Sequence, residues 1–159
     1  MSDFDTLPPA EMAQLSEAPV LVVALLAAAD GEFDRHEQDW TDRLVDVFTY
    51  AKPKLINDFY APVSTGFVKK VSAKLASLPA ETEAREAALA AELEAINPLL
   101  AKLDPALGAA LYKSFRSLAL ETAKASGGFL RIGAVSSEES RWVDLPMLTP
   151  IAPPGHQES

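Results

Sequence analysis

Apolar residues recur along this chain at helical spacing, and prolines, glycines and one acidic turn separate the apolar stretches. Residues 20–29 carry no polar side chain. As a helix they would be apolar on every side, which is typical of a helix buried in a protein core. Pro8 and Pro9 predict a short preceding helix, and Ser16 has the chemistry of an N-cap for the apolar one. We therefore expect a central core helix near the start of the chain.

The middle of the chain has an apolar residue at about every fourth position, which predicts further helices. One stripe comprises Leu55, Phe59, Val63, Phe67, Val71 and Leu75. Pro62 and Gly66 predict a kink or break within it. A second stripe comprises Leu89, Leu93, Ile96, Leu100 and Leu103. The pair Asn97-Pro98 predicts a bend or an end there, because a residue before proline disfavours helix.

A last long helix is predicted to begin at Asp104-Pro105, an N-cap followed by proline at the first helical position. Its apolar face comprises Leu107, Leu111, Phe115, Leu118 and Thr122. Ser126-Gly127-Gly128 predicts its end. Together these patterns predict an all-α fold, a single compact bundle of about six to eight helices over residues 1–148. The proline-rich residues 149–159 lack periodicity and predict an extended or disordered tail.

The chain becomes acidic where the apolar helix is expected to end. Asp30, Glu32, Asp34 and Glu37 fall within eight residues of one another. Gly31 suits the left-handed position just past a helix end, and Asp34 and Glu37 have the spacing of a capping box. The segment therefore predicts a helix, a sharp acidic turn and a second helix.

The spacing of this acidic segment has an echo later in the chain. Asp34, Glu37 and Trp40 are spaced as Ser136, Glu139 and Trp142 are. Each set follows a helix that is predicted to end in glycine. We therefore expect an internal pseudo-twofold repeat of helical hairpins, with the starts of the two capped helices near one another.

These motifs resemble the tellurite-resistance TerB family and the N-terminal domain of DjlA-type co-chaperones. The resemblance rests on an apolar helix ending Ala29-Asp30-Gly31, on Phe33 and on Glu37. It also rests on a second half-motif, Ser126-Gly127-Gly128-Phe129 followed by Ser136-Ser137-Glu138-Glu139. It implies an acidic functional surface, including Asp30 and Glu37, in a protein of the tellurite or metal stress response. Gly127 stands where the first half has Asp30, so the second half offers Glu139 without an equivalent of Asp30.

The acidic turn is a candidate site for a divalent cation, because hard cations prefer oxygen ligands. The candidate ligands are Asp30, Glu37, Glu32, Asp34 and Glu139. The residue types do not distinguish Ca²⁺, Mg²⁺, Mn²⁺ and Zn²⁺. Arg35 and Thr41 occupy positions where an EF-hand loop needs Gly and Glu, so the turn is not an EF-hand. The alternative is that Asp34 and Glu37 are caps, Glu32 is a solvated loop residue and Asp30 is a mild misfit with the helix dipole.

Composition narrows the classes of function. The 159 residues carry a formal net charge of −9 and no cysteine, which disfavours nucleic acid and anionic membranes as partners and excludes thiolate sites. No signal-peptide pattern begins the chain, and the apolar run is shorter than a membrane span of about 20 residues. A cytoplasmic location is therefore expected. The common hydrolase and nucleotide-binding motifs are absent, so we do not expect an enzyme.

Two classes of function remain open. One is a metal-responsive protein of the tellurite and chemical-stress type, which senses or buffers a divalent cation. The other is a metal-independent interaction module that docks a protein partner through its acidic face, as a co-chaperone domain does. A further acidic run comprises Glu81, Glu83, Glu86, Glu92 and Glu94, and it is interpreted as a solvated helix face rather than a partner surface.

Overall fold

A computed structural model describes residues 7–30, 43, 54–131, 142 and 144–151; for residues 29–30, 54–58 and 124–131 it describes the backbone alone. The regular secondary structure of these residues is helix alone, with no strand, which confirms the predicted all-α class for the described part of the chain. The helices are α1 (Pro9–Ser16), α2 (Ala18–Asp30), α3 (Lys54–Ser64), α4 (Phe67–Ala76), α5 (Thr82–Glu94), α6 (Asn97–Lys102) and α7 (Pro105–Arg131). The helix number predicted for the whole chain and the predicted repeat both involve residues outside those described.

Helix α2 lies at the centre of the bundle. Every residue from Ala18 to Ala28 is buried, and the helix packs against α4, α5 and α7. An apolar helix without a polar face is stable only when other elements cover its whole circumference. Ser16 is the last residue of α1, so the prediction that it caps α2 is wrong. The hydrogen bond from the Leu21 N–H to the Glu17 carbonyl, 3.0 Å, lets the chain pass from α1 into α2 through a single turn residue.

The stretch Pro9–Ala28 is long and apolar enough, by length and composition, to match a membrane-spanning helix. In the fold 61% of its most apolar window is buried. Core helices of soluble proteins show the same burial, so this property fits a soluble protein as well as a membrane protein.

The predicted stripes form the core around α2. The break predicted at Pro62 and Gly66 is confirmed: α3 ends at Ser64 and α4 begins at Phe67, with Gly66 at a left-handed φ of 64° between them. The core residues contributed by the stripes are Phe59, Val63, Phe67, Val71, Leu89, Leu93, Ile96, Leu100, Leu103, Leu107, Leu111, Phe115 and Leu118. An added Cβ at Gly66 would meet no atom within 4 Å, so the backbone conformation rather than space favours glycine there.

The start of helix α7 agrees with its sequence signal, whereas its end does not. Asp104 caps it as predicted, because its Oδ2 accepts a hydrogen bond from the Ala106 N–H at 3.0 Å. The end predicted at Ser126-Gly127-Gly128 is wrong, since α7 continues to Arg131. Glycine costs only about 1 kcal/mol relative to alanine inside a helix, so two glycines do not by themselves terminate a helix that packing holds elsewhere. The expected echo of a glycine-terminated helix in the second half is therefore not found at these residues.

The segment after Trp142 lies against the core without forming a helix. Leu145 and Leu148 are buried, and Ile151 packs against the core cluster. Leu145 has a positive φ of 49°, a conformation that costs a non-glycine residue roughly 1–2 kcal/mol. Burial of its side chain offsets this cost. The predicted tail begins at residue 149; Thr149 to Ile151 contact the fold, and residues 152–159 lie outside those described.

Asn97 holds this segment in place through both ends of its amide. Its Nδ2 donates to the Met147 carbonyl at 3.0 Å, and its Oδ1 accepts from the Thr149 N–H at 2.9 Å. The interruption predicted at Asn97-Pro98 is present but falls at residues 95–96, and Asn97 itself is helical, as the first residue of α6. A single side chain thus joins the start of α6 to the backbone of a segment about fifty residues later.

Tyr60 is the largest fully buried side chain among the described residues. Its hydroxyl is 3.1 Å from Ser114 Oγ, and its ring lies edge-on to Phe59 at 5.5 Å. Phe115 of α7 contacts the same cluster, with 5.9 Å between its ring centroid and that of Phe59. Burial raises the pKa of the Tyr60 hydroxyl well above its ordinary value, and the hydrogen bond with Ser114 opposes this only in part.

Replacement of Asn97 should release the segment after Trp142. Asn97→Ala removes two hydrogen bonds, and we expect a loss of about 1–3 kcal/mol in the free energy of unfolding. For a chain of this size this corresponds to a fall in Tm of about 2–10 °C. Asn97→Asp keeps the acceptor for Thr149 but removes the donor to Met147, so its loss should be intermediate. Thermal denaturation of the three proteins measures the order; equal Tm values would show that the clamp does not contribute to stability.

Alkaline pH should destabilise the fold through Tyr60. An unfolded tyrosine loses its proton above about pH 10, whereas the raised pKa keeps Tyr60 protonated in the folded state. Above about pH 10 the unfolded state therefore binds fewer protons than the folded state. The stability that Tyr60 contributes to the fold is fully present below about pH 10 and falls by about 1.4 kcal/mol for each pH unit above it.

Tyr60→Phe should cost about 1 kcal/mol at neutral pH, because the hydrogen bond with Ser114 is lost. It should also make the alkaline decline shallower than in the parent protein. Tyr112→Phe is the control, because it keeps Tyr60 and should keep the steep decline. Urea denaturation from about pH 8 to about pH 11 measures the slopes. Parallel curves for the parent and Tyr60→Phe would contradict this account.

Candidate functional site

The acidic turn begins at Asp30, the last residue of α2. The position predicted for the end of the apolar helix is therefore confirmed. The last four carbonyl groups of an α-helix have no partner within the helix. A residue in the last turn of α2 therefore lies beside backbone oxygens that are free to accept hydrogen bonds or to bind a cation.

The other candidate ligands lie outside the described residues. This applies to Glu32, Asp34, Glu37 and Glu139, and the side chain of Asp30 is also outside them. Their grouping around a cation, and the predicted proximity of the two capped helix starts, therefore stay predictions. Among the side chains that the structure describes, no group of three or more His, Asp or Glu residues is placed to hold a metal ion.

The acidic face predicted on α5 is only partly solvated. Glu81, Glu83 and Glu94 are exposed, but Glu92 pairs with Lys74 of α4, with 2.6 Å between Oε1 and Nζ. Glu86 is 5% exposed and accepts a hydrogen bond from the Trp142 indole Nε1 at 3.1 Å. The prediction of a solvated face is wrong for Glu86, because this residue packs inside the fold.

A sequence signal for the burial of Glu86 does exist. Glu86 lies three residues before Leu89 and seven before Leu93, which places it on the buried side of α5. The bond to Trp142 explains how a carboxylate is retained there, since a buried polar group needs a hydrogen-bond partner. The Trp that completes the second predicted motif is thus connected to α5, which itself packs against α2.

A groove of about 550 Å³ is bounded by α1, the start of α2, the end of α3 and α4. Its polar side chains include Glu17, Lys70 and Lys74. The Lys70 Nζ donates to the Val63 carbonyl at 3.3 Å, whereas Lys74 is paired with Glu92. Sequence analysis did not identify this groove; the one available signal was that residues 59–80 contain three lysines and no acidic residue.

A second concave surface lies beside α7 and has a volume of about 430 Å³. Arg116 stands over the Tyr112 ring, 5.7 Å from its centroid, and its Nη2 is 2.8 Å from Asp144 Oδ1. The hydrogen bond with Asp144 raises the pKa of the Arg116 guanidinium, which stays charged. Arg116 and Asp144 are therefore engaged with each other, and Lys113 is the third charged residue that lines this surface. The contact between Arg116 and Asp144 helps to fasten the segment after Trp142.

No protein-family model matches this chain, and no curated protein or solved structure shows significant similarity to it.

Loss of the Glu86 carboxylate should release Trp142. Glu86→Gln keeps an oxygen acceptor for the indole N–H and should cost less than 1 kcal/mol, whereas Glu86→Ala should cost about 1–3 kcal/mol. In a Trp40→Phe background, the fluorescence of Trp142 should shift to longer wavelength in Glu86→Ala only. Identical spectra in all three proteins would show that this bond does not position the indole.

Proposed function

We propose that this chain is a cytoplasmic TerB-like protein of the metal or chemical-stress response, and that it binds a divalent cation at the acidic turn after α2. The proposed ligands are Asp30 and Glu37, with Glu32, Asp34 or Glu139 as further oxygen donors. The observation that supports this proposal best is the end of α2 at Asp30. It puts the first acidic residue of the motif at the end of the most buried helix of the fold.

The physical argument concerns charge at a helix end. A carboxylate in the last turn meets the negative end of the helix dipole, which disfavours it by about 0.3–1 kcal/mol. Three further acidic residues follow within seven positions, and their repulsion adds to this cost. A bound cation would reverse both effects. Ca²⁺, Mg²⁺ and Mn²⁺ are also suited to a set of carboxylate and carbonyl oxygens, whereas Zn²⁺ more often takes nitrogen or sulfur.

The competing proposal is a metal-independent interaction module that docks a protein partner through its acidic face. The two differ in whether a cation alone changes the stability of the isolated protein. A ligand that binds only the folded state stabilises it by mass action, by about 2.7 kcal/mol at a hundredfold excess over Kd. In a chain of this size, that corresponds to a rise in Tm of about 5–10 °C.

The test is thermal denaturation of chelator-stripped protein with and without each of Ca²⁺, Mg²⁺, Mn²⁺ and Zn²⁺. We expect one of these ions to raise the Tm and Asp30→Asn to remove most of that rise. Without metal, Asp30→Asn should be neutral or slightly stabilising, because it removes an anion from a helix C-terminus. Glu37→Gln should weaken the metal effect while keeping much of the cap, since glutamine also serves in a capping box.

Glu94 provides a matched control. It is an exposed carboxylate and the last residue of α5, as Asp30 is the last residue of α2. Glu94→Gln should reproduce the small metal-free effect but leave the metal-dependent rise intact. A Tm that is unchanged by all four ions would decide against the cation site and in favour of the interaction module. Equal loss of the rise in Asp30→Asn and Glu94→Gln would indicate general charge screening.

A further inference from the structure

The groove between α1 and α4 has an apolar floor. Val20 and Leu21 of α2 and Val63 of α3 line it, and each belongs to the core. Its volume of about 550 Å³ falls in the range of about 300–1,000 Å³ that is usual for small-molecule sites. Val20 is 7%, Val63 4% and Leu21 2% exposed, so the floor is the outermost layer of a packed core.

The walls of the groove are built from small side chains. Ala13 and Ser16 lie one turn apart on α1. On the facing side are Ala73 of α4 and Ser77, the residue that follows the end of α4. None of these side chains is long enough to fill the space between the two helices. The exposed ring of Pro62 closes the edge at α3. The space thus follows from residue size on two facing helices.

Lys70 supplies the one cationic group of the groove that has no described ion pair. The Val63 carbonyl accepts a hydrogen bond from its Nζ at 3.3 Å, which places the ammonium group beside the apolar floor without neutralising its charge. Lys74 differs, because its charge is paired with Glu92 at 2.6 Å. Glu17 also lines the groove and makes no described ion pair with Lys70.

The sequence around Lys70 is basic in a protein that is otherwise acidic. Residues 59–80 contain Lys69, Lys70 and Lys74 and no aspartate or glutamate, although the whole chain has a net charge of −9. Because Glu92 pairs with Lys74 and Glu17 lines the groove, these three lysines exceed the two carboxylates by one charge. An apolar groove with one excess positive charge is complementary to a ligand with an apolar body and one negative charge.

The groove combines an apolar floor, walls of small side chains and one cationic group without a described ion pair. These features favour a slender apolar ligand that carries a single negative group. We propose that the groove binds a single-chain amphipathic carboxylate, such as a fatty acid. Its apolar chain lies along Val20, Leu21 and Val63, and its carboxylate accepts a hydrogen bond from the Lys70 ammonium group.

The test is isothermal titration of the full chain with sodium decanoate below its micelle-forming concentration. Decanoate should bind, and decyltrimethylammonium, which has the same chain length and the opposite charge, should not. Lys70→Gln should weaken decanoate binding by about 10-fold to 100-fold, the effect of losing a hydrogen bond between charged groups. Glu17→Gln should strengthen it by a few fold, because it removes a like charge from the groove.

Two neighbouring residues provide matched controls. Lys69→Gln makes the same change of charge beside the groove without lining it, and it should leave decanoate binding unchanged. Ala73→Phe places a ring in the groove and should abolish binding, whereas Ser72→Phe, one position away and also exposed, should not. Circular dichroism and Tm verify that each variant is folded. If Lys70→Gln does not fold, the comparison of Ala73→Phe with Ser72→Phe still tests whether decanoate binds in the groove.

Absence of decanoate binding would overturn the proposal. Equal weakening by Lys69→Gln and Lys70→Gln would also overturn it, because it would indicate general electrostatic attraction. Binding that survives Ala73→Phe would place the ligand elsewhere. An acidic amphipathic peptide that binds where decanoate does not would assign the groove to a protein partner instead.

Discussion

Complete enclosure of α2 is the constraint on which the rest of the structure depends. Every residue from Ala18 to Ala28 is buried, and burial of each Val or Leu side chain contributes about 1.5–3 kcal/mol. No face of this helix can be left in water, so α4, α5 and α7 must all be present around it. The breaks that separate the other helices serve this arrangement. The turn at Gly66, for example, lets α4 lie on α2 while α3 contacts α7.

Periodicity predicted the elements that enclose α2, because the apolar stripes are direct consequences of burial. It was weaker at the ends of the elements. Ser16 and the pair Gly127-Gly128 have the residue types of a helix start and a helix end, yet neither has that role. Capping contributes only about 1 kcal/mol, and a glycine costs a similar amount. The packing of α1 and α7 against the core exceeds these local preferences.

The candidate sites were predictable to different degrees. Asp30 is at the end of α2 as expected, because an apolar run followed by acidic residues and a glycine marks a helix end in the sequence itself. The burial of Glu86 was missed because its charge was given more weight than its position on the helix. The groove at Lys70 depends on the distance between α1 and α4. Contacts between elements that are remote in sequence cannot be obtained from periodicity.

The clamp formed by Asn97 has a consequence for how the protein is synthesised. Asn97 leaves the ribosome fifty-two residues before Thr149, whose N–H donates a hydrogen bond to the Asn97 side chain. At roughly 5–20 residues per second, this interval lasts about 3–10 s. Ile151, whose Cδ1 approaches Gly108, covers the junction of α6 and α7 only after that. During each round of translation, the apolar surface at this junction is therefore uncovered for seconds, an interval in which it is available to a chaperone or to aggregation.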